Sequence, residues 1–118
     1  MHDPTKMKVC IIGAGLSGLI AARVLENDYN VHIYEATDHI GGLWHYSPET
    51  DDTIPDADLF KSMYGSCMYG IYETMKVNLP GPISKFSDFK DFEYSCNMPH
   101  YSEVMDYINT YYERFNLS

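Results

Sequence analysis

Three glycines limit what the opening of this chain can fold into. Gly13, Gly15 and Gly18 stand as G-x-G-x-x-G between a short β-branched run, Lys8 to Ile12, and an amphipathic stretch beginning at Leu16. The first run reads as a buried parallel strand that ends at Gly13. Leu16 to Glu26 reads as a helix, with Leu16, Leu19, Ile20 and Val24 on one side and Ala21 and Ala22 allowing close approach. Asn27-Asp28 breaks it, and Val31 to Tyr34 forms a second strand followed at once by Glu35. Strand, glycine turn, helix and strand in that order predict one right-handed βαβ unit, the start of an α/β, doubly wound parallel sheet of Rossmann type.

In such a unit each glycine has its own task. Gly13 allows the tight turn, Gly15 lets backbone approach a pyrophosphate, and Gly18 lets the helix lie close to the strand. The pyrophosphate then meets N–H groups at the helix N-terminus. Glycines cluster in many turns that bind nothing, but here a strand precedes them, a helix follows, and a second strand ends in an acid. Glu35 lies 17 positions beyond Gly18, where a carboxylate can accept hydrogen bonds from ribose hydroxyls. Its charge repels a 2′-phosphate, so the turn is expected to take FAD or NAD and to reject NADP.

Charge decides how a phosphate is held. The 118 residues carry 17 acidic against 8 basic side chains, a formal net charge of −9. Backbone N–H groups and a helix dipole, not lysines, must therefore supply the attraction. The same sign weighs against nucleic acid and against an anionic membrane surface as partners. Neither a signal-peptide apolar core nor an apolar run of 18 residues occurs, so a cytoplasmic location is expected. Cys10, Cys67 and Cys96 are odd in number and far apart, which implies neither a disulfide framework nor a C-x-x-C pair, and Cys10 reads as a small core residue. His32, His39, His45 and His100 lack metal-ligand spacing, so no metal site is expected.

Beyond Glu35 the chain reads as irregular to about Phe60, with Gly41-Gly42, Pro48, Pro55 and a solvated acidic run from Glu49 to Asp52. Met63-Tyr64-Gly65 recurs as Met68-Tyr69-Gly70, an echo too short to be an architectural repeat. Pro80, Gly81 and Pro82 mark a second loop. Ser102 can cap a last helix whose first turn carries Glu103 and Asp106, with Val104, Ile108, Tyr111 and Phe115 as its core-facing stripe. A doubly wound sheet expects another strand straight after such a helix, so residues 1–118 read as the N-terminal part of a larger dinucleotide-binding domain.

The second glycine pair separates the candidate dinucleotides. Gly41-Gly42-Leu43-Trp44 follows Glu35 in the pattern E-x5-G-G, which resembles the FAD-binding opening of two-dinucleotide flavoproteins. GAGLSG, Glu35 and GGLW together resemble the N-terminal segment of the flavin-containing monooxygenases. Downstream, the stretch from Tyr72 to Asn78 is similar to that family's Y-x-S-L-x-T-N, and Leu79-Pro80 with Phe86-Ser87-Asp88-Phe89 is similar to its L-P…F-x-D-F. Pro99, Glu103-Val104, Tyr107, Tyr111 and Phe115-Asn116-Leu117 extend the likeness to nearly the whole chain. Thr74, Val77, Gly81-Pro82 and Lys90 depart from the family pattern on what would be the substrate side.

The resemblance implies an enzyme in which NADPH reduces FAD, and a C4a-hydroperoxyflavin formed with O2 passes one oxygen atom to a nitrogen or sulfur nucleophile of a small-molecule substrate. It assigns Gly13, Gly15, Gly18, Glu35, Gly42, Leu43 and Trp44 to the FAD side and Asn78 to the oxygenating flavin as a buried amide donor. The residues alone leave Asn78 open as a turn asparagine before Leu-Pro, and Trp44 open as core filling. The family's NADPH glycine motif and its F-x-G-x-x-x-H-x-x-x-F/Y signature are absent from these 118 residues. The resemblance also makes the cytoplasmic face of the endoplasmic reticulum a possible location. A flavin amine oxidase typically carries arginine where Leu43 stands, and a Baeyer–Villiger oxygenase carries R-Y-P-G after G-G-x-W, which is missing. A truncated or degenerate copy that binds FAD without catalysis is the non-enzymatic alternative.

Overall fold

The fold is a computed structural model that describes residues 4–46, 48 and 71–117. The acidic run at 49–52, Pro55, Phe60, Cys67 and the Met-Tyr-Gly echo lie outside the described residues. The chain divides into two compact units, one formed by Met1–Gly42 with Ile108–Ser118 and the other by Leu43–Tyr107.

The first unit is the expected βαβ. Strand β1 (Lys8–Ile12), helix α1 (Leu16–Leu25) and strand β2 (Asn30–Tyr34) follow in order. The two strands pair in parallel, with Lys8 opposite Asn30 and Ile12 opposite Tyr34. Successive side chains alternate, so Val9, Ile11, Val31 and Ile33 are half-buried while Cys10, Ile12, His32 and Tyr34 are exposed. Cys10 is therefore not the core residue the apolar run suggests: the period of two turns it away from the half-buried face. Strand β2 starts one residue early because Asn30 is buried, donating its side-chain amide to the Lys6 carbonyl at 3.1 Å and its N–H to Met7 at 2.9 Å.

Helix α1 buries a narrower face than its sequence suggests. Leu19 and Ala22 are buried, whereas Ile20 and Val24 are exposed. At 100° per residue, positions 19 and 22 share one line and position 24 falls well round from it. At the C-terminal end Arg23 pairs with Glu26 and lays its guanidinium 4.1 Å from the centroid of the Phe115 ring.

Helix α2 (Tyr101–Phe115) begins in the second unit and ends in the first. Its stripe is deeper than expected, since Tyr107 joins Val104, Ile108 and Tyr111 among the buried residues and Phe115 is half-buried. Ser102 is not its cap. The helix starts two residues earlier than a Ser102 cap implies, and the His100 ring takes that role, its Nδ1 accepting the Ser102 N–H at 3.3 Å and facing the Ser102 hydroxyl at 2.9 Å. The other ring nitrogen, Nε2, donates to the Glu73 carbonyl at 2.6 Å. Glu103 lies in the first turn, as expected, and accepts the Ser95 N–H at 2.7 Å; Asp106 falls beyond it. The helix ends on Asn116 at φ +48°, with Asn116 N–H bonded to Glu113 and Leu117 N–H to Tyr112, the 5→2 and 6→1 pair of a Schellman stop.

The second unit is organised around one tyrosine. Tyr107 is 2% exposed, and its ring centroid lies 5.0–5.9 Å from those of Phe86, Phe89, Phe92 and Tyr94. Its hydroxyl accepts the Phe86 N–H at 2.6 Å and donates to the Phe89 carbonyl at 3.1 Å, closing the F-S-D-F turn on the helix. Burial raises the Tyr107 hydroxyl above its ordinary pKa and pushes that of Tyr94 up to about 12.

Candidate functional site

The site is the glycine turn joining β1 to α1 and the loop at residues 35–42 that follows β2 and bonds back to it. Gly13 has φ +95° and donates its N–H to the Tyr34 carbonyl at 2.7 Å, so the turn is tied to the end of β2. A side chain at Gly18 has no room, because its Cβ would lie 2.0 Å from the Gly13 carbonyl oxygen. Gly15 is the N-cap of α1 and offers no side-chain cap, and the first helical turn holds no acid. The leading N–H groups of that turn, and the positive end of the dipole, are left for an anion from outside.

Glu35 faces this turn from the end of β2. Its Oε2 accepts the Ala14 N–H at 2.7 Å, and its Oε1 accepts the Thr37 N–H at 3.0 Å. The Ala14 N–H is the main cause holding this carboxyl below its ordinary pKa; partial burial opposes it, and the Thr37 donors reinforce it. The group is ionised at neutral pH, as an acceptor for sugar hydroxyls must be.

The second glycine pair closes on the first motif. Gly41 donates its N–H to the Ala14 carbonyl at 2.9 Å. Gly42, at φ +56°, lies so near Gly15 that a Cβ on it would sit 3.2 Å from the Gly15 Cα. Two backbones without side chains thus meet beside the uncapped helix end, a cradle that any Cβ narrows. These features fit a dinucleotide: bare backbone where a pyrophosphate passes, an open helix N-terminus, and an anchored carboxylate for a ribose.

The structure brings Gly13, Gly15, Gly18, Glu35 and Gly42 into one unit. The other three candidates, Leu43, Trp44 and Asn78, belong to the second unit. Leu43 is exposed and Trp44 half-buried in the short 3₁₀ turn Gly42–Trp44. Asn78 is exposed, next to Val77, whose N–H is bonded to the Pro99 carbonyl at 3.0 Å. Among the described residues, no group of three or more His, Cys, Asp or Glu could hold a metal ion, and no helix is long and apolar enough to cross a membrane. Sequence reasoning missed Ala14 and Thr37, and it gave Gly41 no contact of its own within the second glycine pair. The signal available was a hydroxyl two residues past the acid, in a loop that must turn back on the glycines.

A parallel strand pair, a glycine turn at an open helix end and an acid closing the second strand define a βαβ unit of Rossmann type. Comparison with known proteins narrows the class. The chain belongs to the flavin-binding monooxygenase-like family, whose model matches residues 6–118. It is 33% identical over 117 residues to the flavin-containing monooxygenase FMO GS-OX2 of Arabidopsis thaliana, covering 92% of this chain and 25% of that relative. FMO GS-OX-like 9 of the same plant is 31% identical over 117 residues, covering 93% and 25%. The solved S-allyl-L-cysteine S-oxygenase from Allium sativum superposes with a TM-score of 0.76 at 32% identity, covering 94% of this chain and 26% of that one. A flavin monooxygenase variant from Stenotrophomonas maltophilia, at 18% identity and a TM-score of 0.66, shares the fold. The chain spans about a quarter of the length of the curated relatives it matches.

Proposed function

We propose that this chain forms the FAD-binding segment of a monooxygenase that uses NADPH and O2 to place one oxygen atom on a nitrogen or sulfur nucleophile of a small molecule. The observation that carries the reading is the closure of Gly42 on Gly15 beside the anchored Glu35 carboxylate. When bound, FAD supplies the redox and oxygen chemistry; the protein supplies binding, orientation and exclusion of water. In this reading the backbone of Gly13, Gly15 and Gly18 and the first turn of α1 hold the pyrophosphate, and Glu35 accepts a ribose hydroxyl. Gly42, Leu43 and Trp44 follow the cofactor onward, and Asn78 donates its side-chain amide toward the flavin.

Sulfur is the favoured acceptor, because one relative that this chain resembles is named an S-oxygenase of S-allyl-L-cysteine. The negative charge of Glu35, which repels a 2′-phosphate, supports reading the NADPH site as lying elsewhere in the enzyme. These 118 residues alone are then expected to bind FAD without oxidising NADPH. NADPH oxidation by the purified chain that disappears in Glu35→Lys would contradict that division of labour.

The test of the cofactor is retention. The protein isolated from cells is denatured, and the released small molecules are separated. FAD is the expected product. Flavin-free protein that remains so after incubation with FAD, or protein releasing a nicotinamide dinucleotide instead, would overturn the reading.

A further inference from the structure

Thr37 is the residue of this site that neither the glycine motif nor the position of Glu35 singles out. Its N–H and its hydroxyl both lie 3.0 Å from Glu35 Oε1, and the same hydroxyl lies 3.0 Å from the His39 carbonyl. Across the carboxylate, Oε2 accepts the Ala14 N–H at 2.7 Å.

One hydrogen bond on Oε2 would leave the carboxylate free to swing about its last torsion. The Thr37 N–H on the opposite oxygen fixes its plane, and the Thr37 hydroxyl, whose single proton goes either to Oε1 or to the His39 carbonyl, reinforces it when turned to Oε1. A carboxylate accepts about four hydrogen bonds. Ala14 and Thr37 therefore set the orientation of the group in the ligand-free chain, and the Ala36 N–H further favours its charged form. Ordering a glutamate side chain costs rotamer entropy, and here folding meets that cost before any ligand arrives.

We propose that Thr37 is a positioning residue for ribose recognition, holding the Glu35 carboxylate in the orientation that accepts a ribose hydroxyl of an adenine dinucleotide. The inference rests on the dinucleotide reading above and adds to it the residue that preorganises its acid. The plain alternative is that Thr37 only staples its loop through His39. In that case its hydroxyl matters to the loop's shape and not to the sugar.

Two readouts separate these roles in Thr37→Val, which removes the hydroxyl but keeps the N–H and the branched shape, and in Thr37→Ser, which restores the hydroxyl. The first is the titration of Glu35 in the ligand-free chain, followed by carboxyl-carbon NMR. Thr37→Val moves the midpoint upward and Thr37→Ser keeps it low. The second is displacement of FAD by ADP and by 2′,3′-dideoxy-ADP, which lacks the ribose hydroxyls. Thr37→Val weakens ADP by roughly three- to tenfold, the range expected for one ordinary hydrogen bond, and leaves the dideoxy compound unchanged. An unmoved Glu35 midpoint, equal weakening of both probes, or a Thr37→Ser chain that behaves like Thr37→Val overturns the inference. So does a Thr37→Val chain that no longer folds, since Thr37 is then a folding residue. A wild-type chain that binds neither FAD nor ADP overturns the dinucleotide reading and this inference together. A wild-type chain that binds both, with an indifferent Thr37→Val, overturns the role of Thr37 alone.

Discussion

The two units of this chain are held by different physics. The first is shaped by what its backbone can do: glycines at Gly13 and Gly42 with positive φ, a helix packed against a strand through Gly18, and a carboxylate tied to N–H groups. Among its described residues the second has only short 3₁₀ turns and one isolated bridge before its helix, and these are held by aromatic rings around Tyr107, with backbone links such as Val77 to Pro99 and Gly81 to Asn97. Space is critical in the first unit and apolar volume in the second. Removing volume should hurt the second most, and adding a methyl group should hurt the first.

The largest effect is expected at Tyr107. Tyr107→Ala removes the ring at the centre of the aromatic cluster and should cost about 3–5 kcal/mol, read from denaturant unfolding. Gly18→Ala comes next. A single methyl group would have to displace the Gly13 carbonyl, since it would lie 2.0 Å from that oxygen, and overpacking of this kind costs about 1–3 kcal/mol or more. Its signature is lost FAD binding, which Tyr107→Ala at a temperature where the chain stays folded should not share. If Gly18→Ala were neutral, the first unit would not depend on close backbone approach.

Smaller changes sharpen the contrast. Tyr107→Phe keeps the ring but removes the hydroxyl bonded to the part-buried Phe86 N–H and to the Phe89 carbonyl, which should cost about 1–3 kcal/mol. A loss close to that of Tyr107→Ala would make the hydroxyl, not the ring volume, the main support of the second unit. Glu35→Gln should have the smallest effect, because solvent screens a half-exposed group. Its sign is defined by pH. The Glu35 carboxyl is held below its unfolded value, so its contribution is fully present above the ordinary glutamate range and is lost as pH falls through the folded value. Wild type and Glu35→Gln should differ in unfolding midpoint at neutral pH and converge on acidification. A gap that widens in acid would contradict the assignment.

The same contrast explains what the sequence made legible. The βαβ order, the strand Lys8–Ile12 and the tight glycine turn were readable because strand period, turn chemistry and helix start all agree there. Glu35 was readable by its place at a strand end. The face of α1 was only half legible: Ile20 and Val24 are apolar, and nothing local says which apolar line will be buried. Cys10 was misplaced for a similar reason, since a short apolar run does not reveal which of its alternating faces is covered. In the second unit Tyr107 takes its importance from ring neighbours up to 21 residues away, Phe86 among them, and no local pattern carries that. The His100 cap was hidden because serine is the commoner cap and stands two residues later. Thr37 escaped because its role is defined by the acid it holds, not by its own surroundings.

The proposed role of the glycine turn in holding the pyrophosphate and ribose of FAD comes down to one measurement: calorimetric titration of the purified chain with FAD and with NADP at neutral pH, on wild type, Gly18→Ala and Glu35→Lys. Saturable FAD binding at one site per chain, lost in Gly18→Ala, is expected, with NADP binding weakly to wild type and gaining on FAD in Glu35→Lys. Wild type that binds no FAD, or binds FAD and NADP alike with both variants unchanged, would contradict it.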